Sequence, residues 1–385
     1  MSFALSDRFT KSSKLANLCL GTAIVTSALA AFAIRSFCAT YFVPDTRATI
    51  QAAIDSAASL DTILVRPGTY SENLKTLGKP ITLKSTDGPE VTTIDGRWLG
   101  SVITVTSDLR LIGFTIQNGI NDYGGGIRVT GGRVALSIRE NIIRSNRAGY
   151  YVDSGNGGGI YIDSPYAESI IEGNTIDQNY AGDSGGGLAL SGIVLLKANT
   201  ISNNGCHVGG GGVESSGRVR ITGNLIIKNW SDSFGGGICG GAESIVGNTV
   251  VSNYINNPVF PQATGIGTSG TLIEGNIVAL NHGPMGRGTG IGIQCGSGTV
   301  MRCNDVWGND IDLDLFSGCD TTETHNISED PMFCDPNASD FELKGLSPCA
   351  PANSQACGLI GAYSVGCDAV FTQKATWGRL KALYR

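Results

Sequence analysis

Aliphatic and polar positions repeat along this chain in a frame of Asn, any residue, Ile or Val, two residues and Asn. Successive copies begin at intervals of 33, 25, 25, 24, 28 and 28 residues, and most follow a glycine run and an aliphatic residue. The copies are Asn141–Asn146, Asn174–Asn179, Asn199–Asn204, Asn224–Asn229, Asn248–Asn253, Asn276–Asn281 and Asn304–Asn309. A period near 25 with two fixed marks predicts a solenoid rather than one globular core.

The central aliphatic residue of each copy is β-branched, which favours stacked parallel strands with like side chains packed on like. The predicted inward column is Ile116, Ile143, Ile176, Ile201, Ile226, Val250, Val278 and Val306. The glycine runs argue against helices in each period. The recurrent Asn residues are predicted to be structural, forming amide ladders along the stack and tolerating left-handed bends.

The two ends of the repeat array have different compositions. Residues 40–100 are expected to hold the N-terminal cap and first coils, with an amphipathic helix around Ile50 and Ile54 laid over the open end. Residues 101–315 are the repeats, and residues 316–370 form a cysteine-rich C-terminal cap. The expected fold is therefore all-β, a single right-handed parallel β-helix capped at both ends.

Composition and the N-terminus bound the compartment and the partners. Arg8, Lys11 and Lys14 precede an uncharged run of 20 residues, so residues 1–39 are expected to be a signal peptide or, alternatively, an uncleaved anchor. Cysteines crowd the last quarter of the chain, which suits disulfides in an oxidising compartment better than zinc. A net charge of −6 argues against nucleic-acid binding. Membrane contact is expected only through the signal segment or the basic tail at residues 371–385.

The chain resembles right-handed parallel β-helix proteins of the pectin-lyase-like superfamily over about residues 41–365. The resemblance rests on the segment from Ile50 to Tyr70, on the Asn columns, and on the closing run from Asp330 to Tyr363. The repeats also partly resemble those of polymorphic outer-membrane adhesins. The catalytic signatures of the superfamily's hydrolases and pectate lyases are missing here, and fold alone does not give function.

Candidate chemistry lies in the loops around the glycine runs, which stacking would align on one side of the molecule. We call these acids and aromatics, with one histidine, the ridge: Asp122, Tyr123, Tyr150, Tyr151, Asp153, Tyr180, Asp183, His207, Trp230, Asp232 and Phe234. Aromatic faces beside carboxylates suit sugar rings, while the plainer interpretation is solvated turns.

Three functions remain open at this stage. The first is a secreted or cell-surface protein, with the periplasm as a further location, that binds polysaccharide through the ridge. The second is a glycoside hydrolase using Asp153 and Asp183, or a lyase with a base such as Lys197, Lys228 or His207. The third is a structural adhesin. Calcium is a candidate cofactor at the alternating acids Asp310, Asp312 and Asp314, which an exposed polar strand face would equally explain.

Overall fold

The computed structural model describes residues 38–151, 153–256, 261–284, 288–315, 319–321, 325–354 and 356–367. The basic tail lies outside these residues, and so does the predicted signal segment except for Cys38 and Ala39. The described chain winds into a parallel β-helix of three sheets, so the predicted solenoid is confirmed. Among the described residues, helix is limited to Ile50–Ser56 and a 3₁₀ turn at Pro336–Ala338.

The first sheet has eighteen strands and forms the broadest face. Its strands are Thr40–Val43, Thr62–Val65, Leu74–Lys75, Ile81–Ser85, Ile103–Val105, Leu109–Ile112, Ile127–Val129, Leu136–Arg139, Ile160–Glu172, Leu188–Lys197, Val213–Thr222, Ile238–Gly240, Ser244–Val246, Gln262–Thr268, Leu272–Glu274, Gly290–Cys295, Val300–Arg302 and Ile311–Leu315. The long central strands alternate buried and exposed positions, as expected for a sheet with one face on the core.

The second sheet has ten strands, one from each turn of the helix. They are Gly68–Tyr70, Thr92–Asp95, Thr115–Gln117, Ile142–Arg144, Thr175–Asp177, Thr200–Ser202, Leu225–Ile227, Thr249–Val251, Ile277–Ala279 and Asp305–Trp307. The predicted inward column is confirmed, because its members are consecutive partners in this sheet and all are at most 1% exposed. These β-branched side chains fill the centre of the solenoid.

The third sheet consists of six two-residue strands at the corner where the ridge lies. They are Ile120–Asn121, Arg147–Ala148, Tyr180–Ala181, Gly205–Cys206, Trp230–Ser231 and Tyr254–Ile255. The second residue of the strands at Arg147, Tyr180 and Gly205 is buried in a small cluster of Ala148, Ala181 and Cys206. The first residue of each strand therefore faces away from the interior of the solenoid.

Two ladders of buried asparagines run along the stack, as the sequence predicted. The first Asn of each copy donates its amide N–H to the side-chain oxygen of the next, from Asn141 through to Asn326. The second Asn does the same from Asn146 to Asn309. Each amide also donates to an inward backbone carbonyl, so buried polar groups at the corners are satisfied.

The helix Ile50–Ser56 lies beside the first strands with Ile50, Ala53 and Ile54 buried. Its free N-terminal amides are satisfied from two directions. Thr49 accepts from Ala52, and the Glu72 carboxylate accepts from the amides of Ile50 and Gln51 at 2.9 and 2.8 Å. These hydrogen bonds therefore fix the N-terminus of the helix against the loop that carries Glu72.

The C-terminal segment folds back along the outside of the second sheet. An antiparallel pair, Phe333–Asp335 and Asp340–Leu343, and the apolar residue Ile360 bury outward-facing residues of the second sheet such as Val251 and Ile277. Gly361 donates to the Gly275 carbonyl at 2.7 Å. The predicted disulfides near the C-terminus are confirmed as Cys295–Cys319, Cys303–Cys357 and Cys334–Cys367. The first two tie the repeats to the residues that follow them, and Cys334–Cys367 ties the C-terminal segment to itself.

Candidate functional site

The third sheet places large side chains in a single outward column. Strand register puts the following residues in line, one per coil: Arg147, Tyr180, Gly205, Trp230, Tyr254 and, through an isolated bridge, His282. Each of these follows the second Asn of a repeat copy directly. Because that Asn turns inward into the ladder, the next residue must point out of the corner.

The middle of this column is a continuous aromatic surface. The ring centroids of Tyr180 and Trp230 are 5.9 Å apart although one coil lies between them. Gly205 occupies that coil, and a Cβ there would meet the indole of Trp230 at 2.1 Å, so the indole lies over the glycine. The Arg147 guanidinium lies 5.2 Å from the Tyr180 ring on the other side. Burial against these neighbours raises the pKa of Tyr180.

A cluster of His207, Asp232 and Asp153 lies beside the aromatic surface, on the coils that carry Gly205, Trp230 and Arg147 in the third sheet. His207 contacts Asp232 through Nδ1 at 2.9 Å and Asp153 through Nε2 at 3.2 Å. The Asn256 amide donates to the other Asp232 oxygen at 3.0 Å. Asp153 is 72% exposed, so one carboxylate of this cluster is open to a ligand from solvent.

The structure divides the predicted ridge between two faces. Tyr180, His207, Trp230, Asp232 and Asp153 come together on the third sheet. The other members lie toward the first sheet or in solvent, and they are Asp122, Tyr123, Tyr150, Tyr151, Asp183 and Phe234.

Tyr123 stacks on Tyr161 of the first sheet, with centroids 5.0 Å apart. The Asp183 carboxylate accepts from the Ser184 hydroxyl. Burial raises the pKa of Glu214, and the nearby Asp183 charge adds a smaller effect in the same direction. Asp122 and Tyr151 are exposed, and Tyr151 is 79% accessible. The two carboxylates predicted for catalysis, Asp153 and Asp183, therefore have different partners.

The three predicted calcium ligands each have a different protein partner. Asp312 ends the second Asn ladder, accepting from the Asn309 backbone and amide at 3.1 and 3.0 Å. Asp310 accepts from His282 and from the amides of Gly283 and Gly290. Asp314 accepts from Gln294 at 3.2 Å. Within the described ranges, no group of three His, Cys, Asp or Glu side chains is arranged to hold a metal ion.

Sequence reasoning missed several residues of this region, among them Arg147 and Tyr254. The position directly after the second Asn would have found both, because it marks the outward column. It also missed Glu214 and Cys239, which follow the aliphatic residue after a glycine run and face outward on the first sheet.

Comparison with known proteins identifies a family for this chain. A family model described as periplasmic copper-binding protein (NosD) matches residues 54–263. No curated protein matches the chain. Solved structures with some similarity include Escherichia coli YbhC, 14% identical with a TM-score of 0.31, covering 77% of this chain and 78% of that one.

Another is a pectin methylesterase in complex with a hexasaccharide, 10% identical with a TM-score of 0.25, covering 80% of this chain and 93% of that one. TM-scores this low say nothing about activity. Across the part of the chain that the structure describes, no helix has the length and apolar character to cross a membrane. The family description is periplasmic, in agreement with the expected export. Because the family model matches more than half of the residues of this chain, the chain belongs to the NosD family of periplasmic β-helix proteins.

Proposed function

We propose that this exported β-helix binds a polysaccharide along the outward column of the third sheet. The observation that carries the proposal is the half-exposed Tyr180–Trp230 surface beside the Asp153–His207–Asp232 cluster. Sugar rings present apolar faces that pack on aromatic rings, and their hydroxyls bond to carboxylates and imidazoles. Aromatic rings and hydrogen-bonding side chains lie side by side here.

The geometry of the column favours a chain over a single sugar. Coils repeat every 4.8 Å or so, and the column continues from Arg147 through Trp230 to Tyr254. Tyr254 is 39% exposed, which extends the aromatic surface by one coil. A ligand lying along the solenoid axis would therefore contact several equivalent positions, as an extended polymer does.

Catalysis at the ridge stays a prediction. Hydrolysis would need two carboxylates about 5–9.5 Å apart, and Asp153 with Asp183 remains the pair suggested by the sequence. Asp153 already pairs with His207, and Asp183 with Ser184. The lyase and adhesin hypotheses likewise stay predictions. New reducing ends in incubations with the bound polysaccharide would move the assignment from binding to cleavage.

Copper, which the family description names, is not readily held by the described residues. Copper sites draw on soft thiolate and thioether donors and on imidazoles, and the described part of the chain has no group of three His, Cys, Asp or Glu side chains that could hold a metal ion. His207 and His282 each contact carboxylates of their own. We therefore derive no chemistry from copper. Calcium at Asp310, Asp312 and Asp314 also stays a prediction.

We also propose that Ile50–Ser56 closes the N-terminal end of the solenoid. Its buried face covers the first coils, where an uncovered strand edge would otherwise invite pairing with another chain. The domain limits at residues 39, 100, 315 and 370 are proposed on the same basis. They place caps on both sides of the repeats.

Binding of the full chain to a polysaccharide array tests the proposal. For a polymer that binds, Trp230→Ala and Tyr180→Ala should each weaken affinity at least tenfold, because each removes part of the stacking surface. Tyr166→Ala is the matched control, since Tyr166 is 71% exposed and contacts Arg133 away from the column. Equal binding by all four proteins would contradict the proposal.

A further inference from the structure

A second outward column crosses the first sheet next to the ridge. Strand register aligns Arg128, Tyr161, Ala189, Glu214, Cys239, Gly267, Gln294 and Asp314. The side chains shrink to Ala189 on one side of Glu214–Cys239 and to Gly267 on the other. The column therefore has a low point around this acid and thiol.

A surface depression of about 460 Å³ begins at this low point. Cys239 and Gly267 form its floor, Phe234 of the ridge forms one wall, and Gln262 and Gln294 contribute amides. The volume lies within the range of small-molecule sites, roughly 300–1,000 Å³. None of the residues that line it carries a charge.

Glu214 contacts two residues that line the depression, Cys239 and Gly240, and its carboxyl is incompletely paired. The Cys239 thiol bonds to its carboxyl, while Oε2 is buried without a hydrogen-bond partner. Gly240 lies against the carboxyl, since a Cβ there would come within 2.9 Å of Glu214 Oε1. A carboxylate can accept several hydrogen bonds, so the protein leaves part of the accepting capacity of Glu214 unused.

The electrostatics around Glu214 favour a positive ligand. Burial, with a smaller contribution from Asp183, raises the pKa of Glu214 to about 7. Burial and the nearby Glu214 also raise the pKa of the Cys239 thiol. Asp183 is the charged group that raises the pKa of Glu214, and an ammonium ion in the depression would offset the repulsion between these two carboxylates.

We propose that this depression is a subsite for a sugar residue that carries a free ammonium group. The ammonium would donate to the Glu214 carboxyl, and the Phe234 ring would face the sugar or the cation. An N-acetylated sugar lacks the charge, and a uronate would add a negative charge beside Glu214 and Asp183. The inference rests on the proposed polysaccharide binding and names the class of sugar.

The test compares tetramers of glucosamine, N-acetylglucosamine and galacturonate with the full chain at pH 7.5. Affinity is measured by calorimetry, and alkylation of Cys239 is followed by mass spectrometry. Cys239 is half-buried and lines the depression, whereas the free thiols of Cys206 and Cys349 are buried. We expect the glucosamine tetramer to bind at least tenfold more tightly than the other two and to slow alkylation of Cys239.

Glu214→Gln should lower the affinity for the glucosamine tetramer about tenfold and remove its advantage over the acetylated tetramer. Glu243→Gln is the matched control, because it removes one exposed acid elsewhere on the surface. Phe234→Ala provides an independent variant that leaves the buried acid in place, and it should weaken binding of the same tetramer. Preference retained in Glu214→Gln, or alkylation unaffected by the ligand, would overturn the inference.

Failure of the inference differs from failure of the proposed function. Polysaccharide binding that depends on Trp230, with no protection of Cys239 and no preference for the amine, refutes the subsite alone. Absence of binding to every polysaccharide refutes both. Protection of Cys239 by the glucosamine tetramer that is lost in Glu214→Gln supports both.

Discussion

Replacing one ladder asparagine, Asn204→Ala, should destabilise the whole central region. Asn204 is fully buried, and its amide donates to Asn229 Oδ1 and to the Ile176 carbonyl, both at 2.9 Å. Its side-chain oxygen accepts from the backbone and the amide of Asn179, both at 3.0 Å. Alanine would leave two donors on Asn179 and the Ile176 carbonyl buried without partners.

Each buried group left without a partner costs about 1–3 kcal/mol, so the three groups together predict a loss of roughly 3–9 kcal/mol in the free energy of unfolding. Guanidinium chloride unfolding followed by circular dichroism, with the disulfides intact, measures it. The control is Asn203→Gly, because Asn203 is exposed with a φ of 53° that glycine tolerates. A loss below about 1 kcal/mol for Asn204→Ala, or equal losses for both variants, would refute the role assigned to the ladder.

Three further predictions follow from single contacts. Gly205→Ala should displace the Trp230 indole, shift its fluorescence and reduce polysaccharide affinity as Trp230→Ala does, whereas Gly132→Ala, with its nearest neighbour at 3.4 Å, should change neither. Burial raises the pKa of Asp305 from 3.8 to about 6. The stabilisation by the protonated carboxyl is therefore full below about pH 4 and is lost as pH rises through 6, by up to about 3 kcal/mol. Asp305→Asn should flatten this part of the plot of unfolding free energy against pH, and an unchanged plot would refute the assignment. Joint replacement of Cys303 and Cys357 by Ser opens a 54-residue loop worth about 4 kcal/mol and should speed proteolysis of residues 331–366, an effect that Cys239→Ser should lack.

The interior of this protein could be predicted because its signals are periodic. Ile143, Ile176 and Ile201 recur in one frame, and each pairs with the next in the second sheet. The ladder asparagines share that frame, because an amide at the corner of every coil bonds to the equivalent amide on the next coil and to a neighbouring backbone carbonyl. Period and residue type together therefore determined the strands, the core and the buried polar network.

The outer surface could be predicted less well, because side chains facing solvent are not constrained to one residue type. Asp153 and Asp183 occupy similar sequence positions, yet one contacts His207 and the other lies near Glu214. Small differences in loop length decide which face each acid reaches. The path of the C-terminal segment along the second sheet depends on long-range apolar contacts, such as Ile360 near Ile277, that no local pattern encodes.

Polysaccharide binding by the third-sheet column is the central claim, and one comparison tests it most directly. The full chain and its Trp230→Ala variant are titrated with the polymer that binds best on the array, with Tyr166→Ala alongside. The account predicts at least a tenfold loss of affinity for Trp230→Ala alone. Unchanged affinity in that variant, or no binding of any polymer to the unaltered protein, would contradict it.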